Sequence, residues 1–329
     1  MMIKITHLLL LSIPFNALAE TDDLELKGIP PSRLDSYLKT FQKELNDLWI
    51  NYDGVNYPLS PIALSDDNTF IMQFKKGLVS IEYNMDQGLD DKTNIMVKET
   101  YRTDDLTEDE VVQLISEGWE ASQISTRYVD GNYLYEGEVE TDNYNLISFK
   151  LSFNEAAVVS GTSQFSIDGN KAILTGDLGT QTYLQLQKIT RDYPDVNTIV
   201  LKAVNGSVND DINLHTGNLL RNSGLNTEIP EGGFAYSGGV DLFSAGVERK
   251  VKTGGILGVH SWCCSQGKTA DKLSKDNPAH HDQLIFYKKM LGDPIGSQFY
   301  FFTIHAAPFR GIHKMTREEL ERFGLSKSK

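Results

Sequence analysis

Cysteine is nearly absent. The chain of 329 residues has two, and they are adjacent: Cys263 and Cys264. That excludes the multi-bridge framework that staples small secreted domains; the pair either closes on itself as a strained vicinal bridge, pairs externally or stays as thiols. His280, His281, His305 and His313 fall in the same region, but no C-x-x-C or H-E-x-x-H spacing accompanies them, so no metal site is expected. Cations are also scarce. Lys and Arg total 31 against 45 Asp and Glu, a formal net charge of -14, which argues against nucleic acid and anionic membrane surfaces as partners. Beyond the first residues there is no long apolar run. The chain is therefore expected not to be integral to a membrane, and no cofactor is expected.

What is present begins with a leader. Lys4 supplies a positive start, Leu8 to Pro14 an apolar core, and Ala17-Leu18-Ala19 a small-residue cleavage pattern before Glu20. This reads as a secretory signal peptide over residues 1–19, cut after Ala19 and too short to span a bilayer. No cysteine sits at the cut, which argues against a lipoprotein. A periplasmic or secreted protein is expected. The remainder is long for one domain, and two are expected, residues 20–160 and 161–329.

Residues 20–160 read as an α+β unit. Leu34, Leu38, Phe41, Leu45 and Leu48 form a helical stripe within Pro31 to Trp49. Alternating runs at Thr69–Phe74, Leu78–Tyr83, Asn94–Tyr101, Asn132–Val139 and Asn145–Phe153 predict strands, with a helix over Thr107–Trp119. No chemical constellation stands out here. The unit could shape access to a site, cap an oligomer or bind a partner.

From Ser163 strands alternate with helical patterns, which predicts crossover units and a largely parallel sheet. Phe165–Ile167 and Ala172–Thr175 read as short strands, and Asp177 beyond them as a turn residue rather than a site acid. Leu184, Leu186, Ile189 and Tyr193 ride a helix stopped by Pro194. Later, Leu284 to Leu291 predicts a helix ended by Gly292, Gln298–Ile304 is either strand or helix, and Thr316 caps a last helix against Glu319.

The chemistry gathers between Val200 and Trp262. Ser237 lies between a glycine-rich turn and the pattern Val240, Leu242, Phe243, Gly246, a short helix ended by glycine. His260 closes the apolar run Ile256–Val259, and Asn205-Gly206 turns the chain after Thr198–Leu201. A serine hydroxyl needs a base to become a nucleophile, and histidine titrates in the range that suits the task. Gly238 and Gly239 leave room for a substrate carbonyl and let main-chain amides face its developing oxyanion, and the Asn205-Gly206 turn could offer another such amide. The plainer reading is a serine that caps a tightly packed helix.

The order of these motifs resembles the Clp-protease proteolytic subunit and crotonase-like superfamily, especially its exported, periplasmic Clp-like branch. The resemblance covers roughly residues 165–325. It is carried by Ile199–Leu201, the turn Ala203-Val204-Asn205-Gly206-Ser207-Val208, a helix near Asn209–Asn222, Thr227–Ile229, Ala235-Tyr236-Ser237-Gly238, Ser244-Ala245-Gly246 and Leu257-Gly258-Val259-His260. It implies an α/β, ββα-type spiral C-terminal domain after the smaller α+β domain. It implies Ser237 as nucleophile, His260 as base, and Gly206 with Gly238 as oxyanion amides. Two positions depart from the pattern. Asn205 stands where the family has glycine, a substitution that left-handed tolerance in asparagine would accommodate. Ile312 stands at the position of the family's Asp, with His313 beside it. Either His313 orients His260, a carboxylate from elsewhere does, the site is a dyad, or it is inactive. The expected function is thus an exported serine hydrolase, peptidase-like, acting on a peptide or acyl substrate and compatible with a homo-oligomer. The alternative is a catalytically inactive Clp-like binding or assembly module. An acyl-CoA enzyme fits export poorly, because coenzyme A is scarce outside the cytoplasm.

Overall fold

The computed structural model describes residues 25–64, 69–82, 93–100, 106 and 108–326. The expected leader, residues 1–19, lies outside them, as do Tyr83, Tyr101 and Thr107. No helix among the described residues is long and apolar enough to cross a membrane. The fold is mixed α/β and holds two sheets.

After helix α1 (Leu34–Asn46) come strands β1 (Trp49–Tyr52), β2 (Val55–Pro58), β3 (Ser60–Leu64), β4 (Thr69–Phe74), β5 (Gly77–Glu82) and β6 (Ile95–Glu99). Helix α2 (Glu108–Ser116), β7 (Trp119–Val129), β8 (Asn132–Glu140), β9 (Leu146–Phe153) and α3 (Glu155–Ser160) complete this half. The strands form one nine-stranded antiparallel sheet in the order β2-β1-β9-β8-β7-β6-β5-β4-β3. Its two edge strands are joined through Leu59 alone, so the sheet must curl until those edges lie close. The curl encloses Ile50, Tyr52, Phe70, Met72, Ile81, Val97, Tyr135, Phe149, Leu151 and Phe153, all buried. Residue alternation along each strand sends one set of side chains to that interior. Helix α2 covers the outside with Val111 and Ile115 against Ala63, Ile71 and Leu78. Strand β7 is a difference from the sequence expectation, which carried a helix to Trp119. The segment is mostly polar and exposed, and its long pairing with β8 supplies what its side chains do not.

The second sheet has eight strands. β10 (Gln164–Asp168) forms a hairpin with β11 (Lys171–Thr175), and α4 (Thr180–Asp192) leads to β12 (Thr198–Val204). Then come α5 (Asp210–Asn222), β13 (Asn226–Ile229), β14 (Phe234–Tyr236), α6 (Gly238–Ser244), β15 (Arg249–Val251) and β16 (Ile256–Val259). The chain ends in α7 (His281–Leu291), α8 (Ile295–Ala306), β17 (His313–Lys314) and α9 (Arg317–Arg322). Strands β11 to β16 pair in parallel, and β12 is shared. Its first half pairs with β13, which leads on to β15; its last residues pair with β14, which leads on to β16. The aromatic-rich stretch 298–304 is helical and lies in α8, where Phe299 and Tyr300 reach the core. A continuous apolar cluster, including Leu201, Val204, Ala235, Val240, Phe243, Leu257 and Val259, lies under the site described next.

The boundary expected at 160/161 falls in the loop after α3, between the two sheets. The stretch before β1 nonetheless lies against the second half: Leu38 packs with Tyr183 and Ile212, and Tyr37 Oη is 2.7 Å from Thr180 Oγ1. His215 Nε2 bonds the Ile29 carbonyl at 2.6 Å.

Candidate active site

Parallel pairing places three loop starts at one end of the second sheet. Val204 pairs with Ala235 and Tyr236 with Gly258, so β12, β14 and β16 finish side by side. The residues that follow them are Asn205-Gly206, Ser237 and His260. Open parallel sheets gather ligand-handling residues at their carboxyl ends for this reason.

Ser237 makes a sharp turn between β14 and α6 with φ 50° and ψ -125°. Positive φ is uncommon outside glycine and is held only where surroundings enforce it, at a cost of about 1–3 kcal/mol. The enforcement is visible. The Ser237 N–H donates to Gly258 O at 2.9 Å, and its carbonyl accepts from Val240 N at 2.8 Å. The hydroxyl does not cap the helix it precedes, so the plainer reading of Ser237 as an N-cap does not hold.

Glycine is required beside it. A Cβ at Gly238 would stand 2.5 Å from Ser207 Cβ and 3.2 Å from Ser207 N; one at Gly206 would stand 3.3 Å from Ser237 Cβ. The Asn205–Val208 turn is thus in contact with the serine elbow. Neither the Gly206 nor the Gly238 N–H is taken by a turn or loop hydrogen bond. Asn205 is exposed and lacks positive φ, as does Gly206. The left-handed tolerance invoked for Asn205 is therefore not used in this turn.

Ser237 and His260 line the same cavity, of about 30 Å³, room for roughly one water molecule. His260 Nδ1 lies 2.8 Å from Ser261 O. A carbonyl can only accept, so Nδ1 carries the proton and Nε2 keeps its lone pair. Burial lowers the His260 pKa, against the opposing pull of the Ser261 and Phe309 carbonyls. The ring is neutral near pH 7, as a base should be.

His313 is engaged with other partners. Its Nε2 binds Glu319 at 2.8 and 3.0 Å, its ring packs edge-on to Phe302, and its strand register sets it opposite Val259. Cross-strand partners share a face, so His313 stands on the side of Val259. Glu319 closes the predicted capping box with Thr316. Asp177 serves a turn: its N–H and carbonyl bond Thr162 Oγ1 and N, both at 3.0 Å.

No family model matches this chain. No curated protein matches it. Solved structures align with part of it. A probable enoyl-CoA hydratase/isomerase from Mycobacterium abscessus is 14% identical over 50% of this chain and 67% of its own, with a TM-score of 0.33. A putative enoyl-CoA hydratase/isomerase (crotonase) from Legionella pneumophila is 12% identical over 50% and 68%, also at 0.33. A membrane-bound stomatin-specific protease, solved with a substrate peptide, is 17% identical over 47% and 71%, at 0.34. These neighbours have crotonase- or Clp-like folds. We rest nothing further on likeness this distant.

The cavity holds an acid that reading by motif missed. Asp241, 2% exposed, accepts hydrogen bonds from Tyr287 Oη and from Gln283 Nε2 at 3.2 Å. Burial pushes its carboxyl up to about 7, and nearby Asp210 pushes the same way. Asp210 lines the same cavity but is exposed to water; crowding by protein raises its carboxyl while Ser207 works against the shift. No sequence signal singles it out: it sits within the short helical stretch of α6 and matters only for what lies opposite it. Cys263 and Cys264 are paired with each other. Among the described residues no group of three or more His, Cys, Asp or Glu is placed to hold a metal ion.

Proposed function

We propose that this chain is an exported serine hydrolase, peptidase-like, that transfers an acyl group through Ser237. The observation that carries the reading is the elbow: a serine with φ 50°, its hydroxyl unused by the helix, sharing a cavity with a neutral histidine. His260 Nε2 takes the Ser237 proton as Oγ attacks the acyl carbon, then returns it to the leaving group. The Ser261 carbonyl at Nδ1 takes the orienting part that an acid plays in a triad. A carbonyl stabilises the imidazolium less than a carboxylate does, so a slow enzyme is expected. The amides of Gly206 and Gly238 face the developing oxyanion. Export rests on the leader pattern at residues 1–19 and its Ala17-Leu18-Ala19 cleavage signal. A peptide or acyl substrate follows from the same chemistry, and the curled sheet with α1 would form a first domain of its own beside the site.

A second reading has a specific observation behind it. The cavity that Ser237 and His260 share is small, about 30 Å³, as befits a module that retains the fold for binding or assembly. Labelling with a fluorophosphonate probe separates the two. Covalent labelling that is lost in Ser237→Ala supports the enzyme, and folded wild-type protein that takes up no label supports the module.

A further inference from the structure

Helix α5 begins where the Asn205–Val208 turn ends. Asn209 caps it, its Oδ1 accepting from Ile212 N at 3.4 Å, and the Asn213 N–H bonds Asn209 O at 3.1 Å. Asn213 is thus one helical turn beyond the cap and moves with the turn. Its side chain is 1% exposed, and Nδ2 donates to Gly238 O at 2.8 Å. The bond crosses the contact between the turn and the serine elbow, where a Gly238 Cβ would meet both Ser207 and Asn213 Nδ2.

The other half of this amide is unexplained by the fold. Asn213 Oδ1 is buried and has no hydrogen-bond partner. Flipping the amide gives no relief, since Oδ1 would then oppose the Gly238 carbonyl, acceptor against acceptor. A buried acceptor left unpaired destabilises the native state, and an apolar side chain of the same shape would serve packing better. What leucine could not supply is the grip on Gly238.

We infer that Asn213 is a positioning residue: by holding the Gly238 carbonyl it fixes the elbow, and with it the Gly238 N–H, against the turn that carries Gly206. The two amides then converge on one point because one side chain joins their supports. The inference rests on the hydrolase reading, and oxyanion donors are sensitive to sub-ångström displacement, so looser anchoring costs rate.

The test compares wild type with Asn213→Leu in three measurements: thermal melting, the rate constant of fluorophosphonate labelling, and the Gly238 amide resonance in a ¹H–¹⁵N spectrum. Asn213→Leu is expected to melt at or above the wild-type temperature yet label about 10- to 100-fold more slowly, with the Gly238 resonance displaced. A purely structural role would lower the melting temperature and leave folded protein labelling normally; that outcome overturns the inference. If leucine prevents folding, Asn213→Ser, too short to reach the Gly238 carbonyl, is expected to show the same slowing. Wild type that never labels sinks the hydrolase reading alone. In that case an unmoved Gly238 resonance in Asn213→Leu overturns the positioning role, and a displaced one sustains it.

Discussion

The two sheets of this protein use their strand ends differently. In the nine-stranded sheet every pair is antiparallel, so successive turns alternate between its ends and none accumulates chemistry. In the second sheet β12, β14 and β16 run the same way, and the ends of these three neighbouring strands open at one place. The interiors differ as well. The first closes on aromatics and branched aliphatics, whereas the second leaves Asp241, Tyr287 and Gln283 hydrogen-bonded beside the serine elbow. A sheet that encloses its own core gains stability from the closure. A sheet whose strands end together gathers its loops at one place.

The sharpest way to break this contrast pairs one substitution from each half. Leu151→Ala removes a fully buried side chain from the curled sheet and is expected to cost about 2–5 kcal/mol of stability, while protein that remains folded labels at the wild-type rate. Gly238→Ala drives a methyl to 2.5 Å from Ser207 Cβ and is expected to slow labelling by about 100-fold or more. Equal effects of the two on labelling would erase the distinction between the halves.

A milder probe is pH. Burial lowers the His260 pKa below its ordinary 6.5, so the base form persists to lower pH than free histidine would allow. The labelling rate should rise with pH through a midpoint below 6.5 and then level off. The linkage has a matching sign: as pH falls below the ordinary histidine value the unfolded chain takes up the proton first, so stability from the buried neutral ring declines toward acid. A midpoint above 6.5 would count against burial as the cause. The smallest effect belongs to His313→Ala. With its ring engaged by Glu319 and Phe302, the substitution should leave labelling within about twofold and cost about 1 kcal/mol or less. A large loss of labelling would return His313 to the site.

Much of this was legible beforehand, and unevenly so. Periodicity located α1 and α7 and the alternating strands β4, β8 and β9 because each pattern reports a face that must be buried, while α5 was expected only from the resemblance. Strand β7 was not legible, since its pairing partner rather than its side chains makes it a strand. At the site, Ser237, His260 and Gly206 could be singled out by residue type and order. Asp241 and Asn213 could not: each sits inside an ordinary helical stretch and matters only because Tyr287, Gln283 or the Gly238 carbonyl lies opposite.

Composition and order alone set the chain's acidity, its adjacent cysteines, its leader-like start and the succession of turn, serine and histidine. Which groups touch was decided in three dimensions. The partner of His260 Nδ1 is a main-chain carbonyl one residue away, a partner every residue possesses and no residue type can announce. That His313 stands opposite Val259 and meets Glu319 follows from strand register, a quantity that exists only once strands have paired.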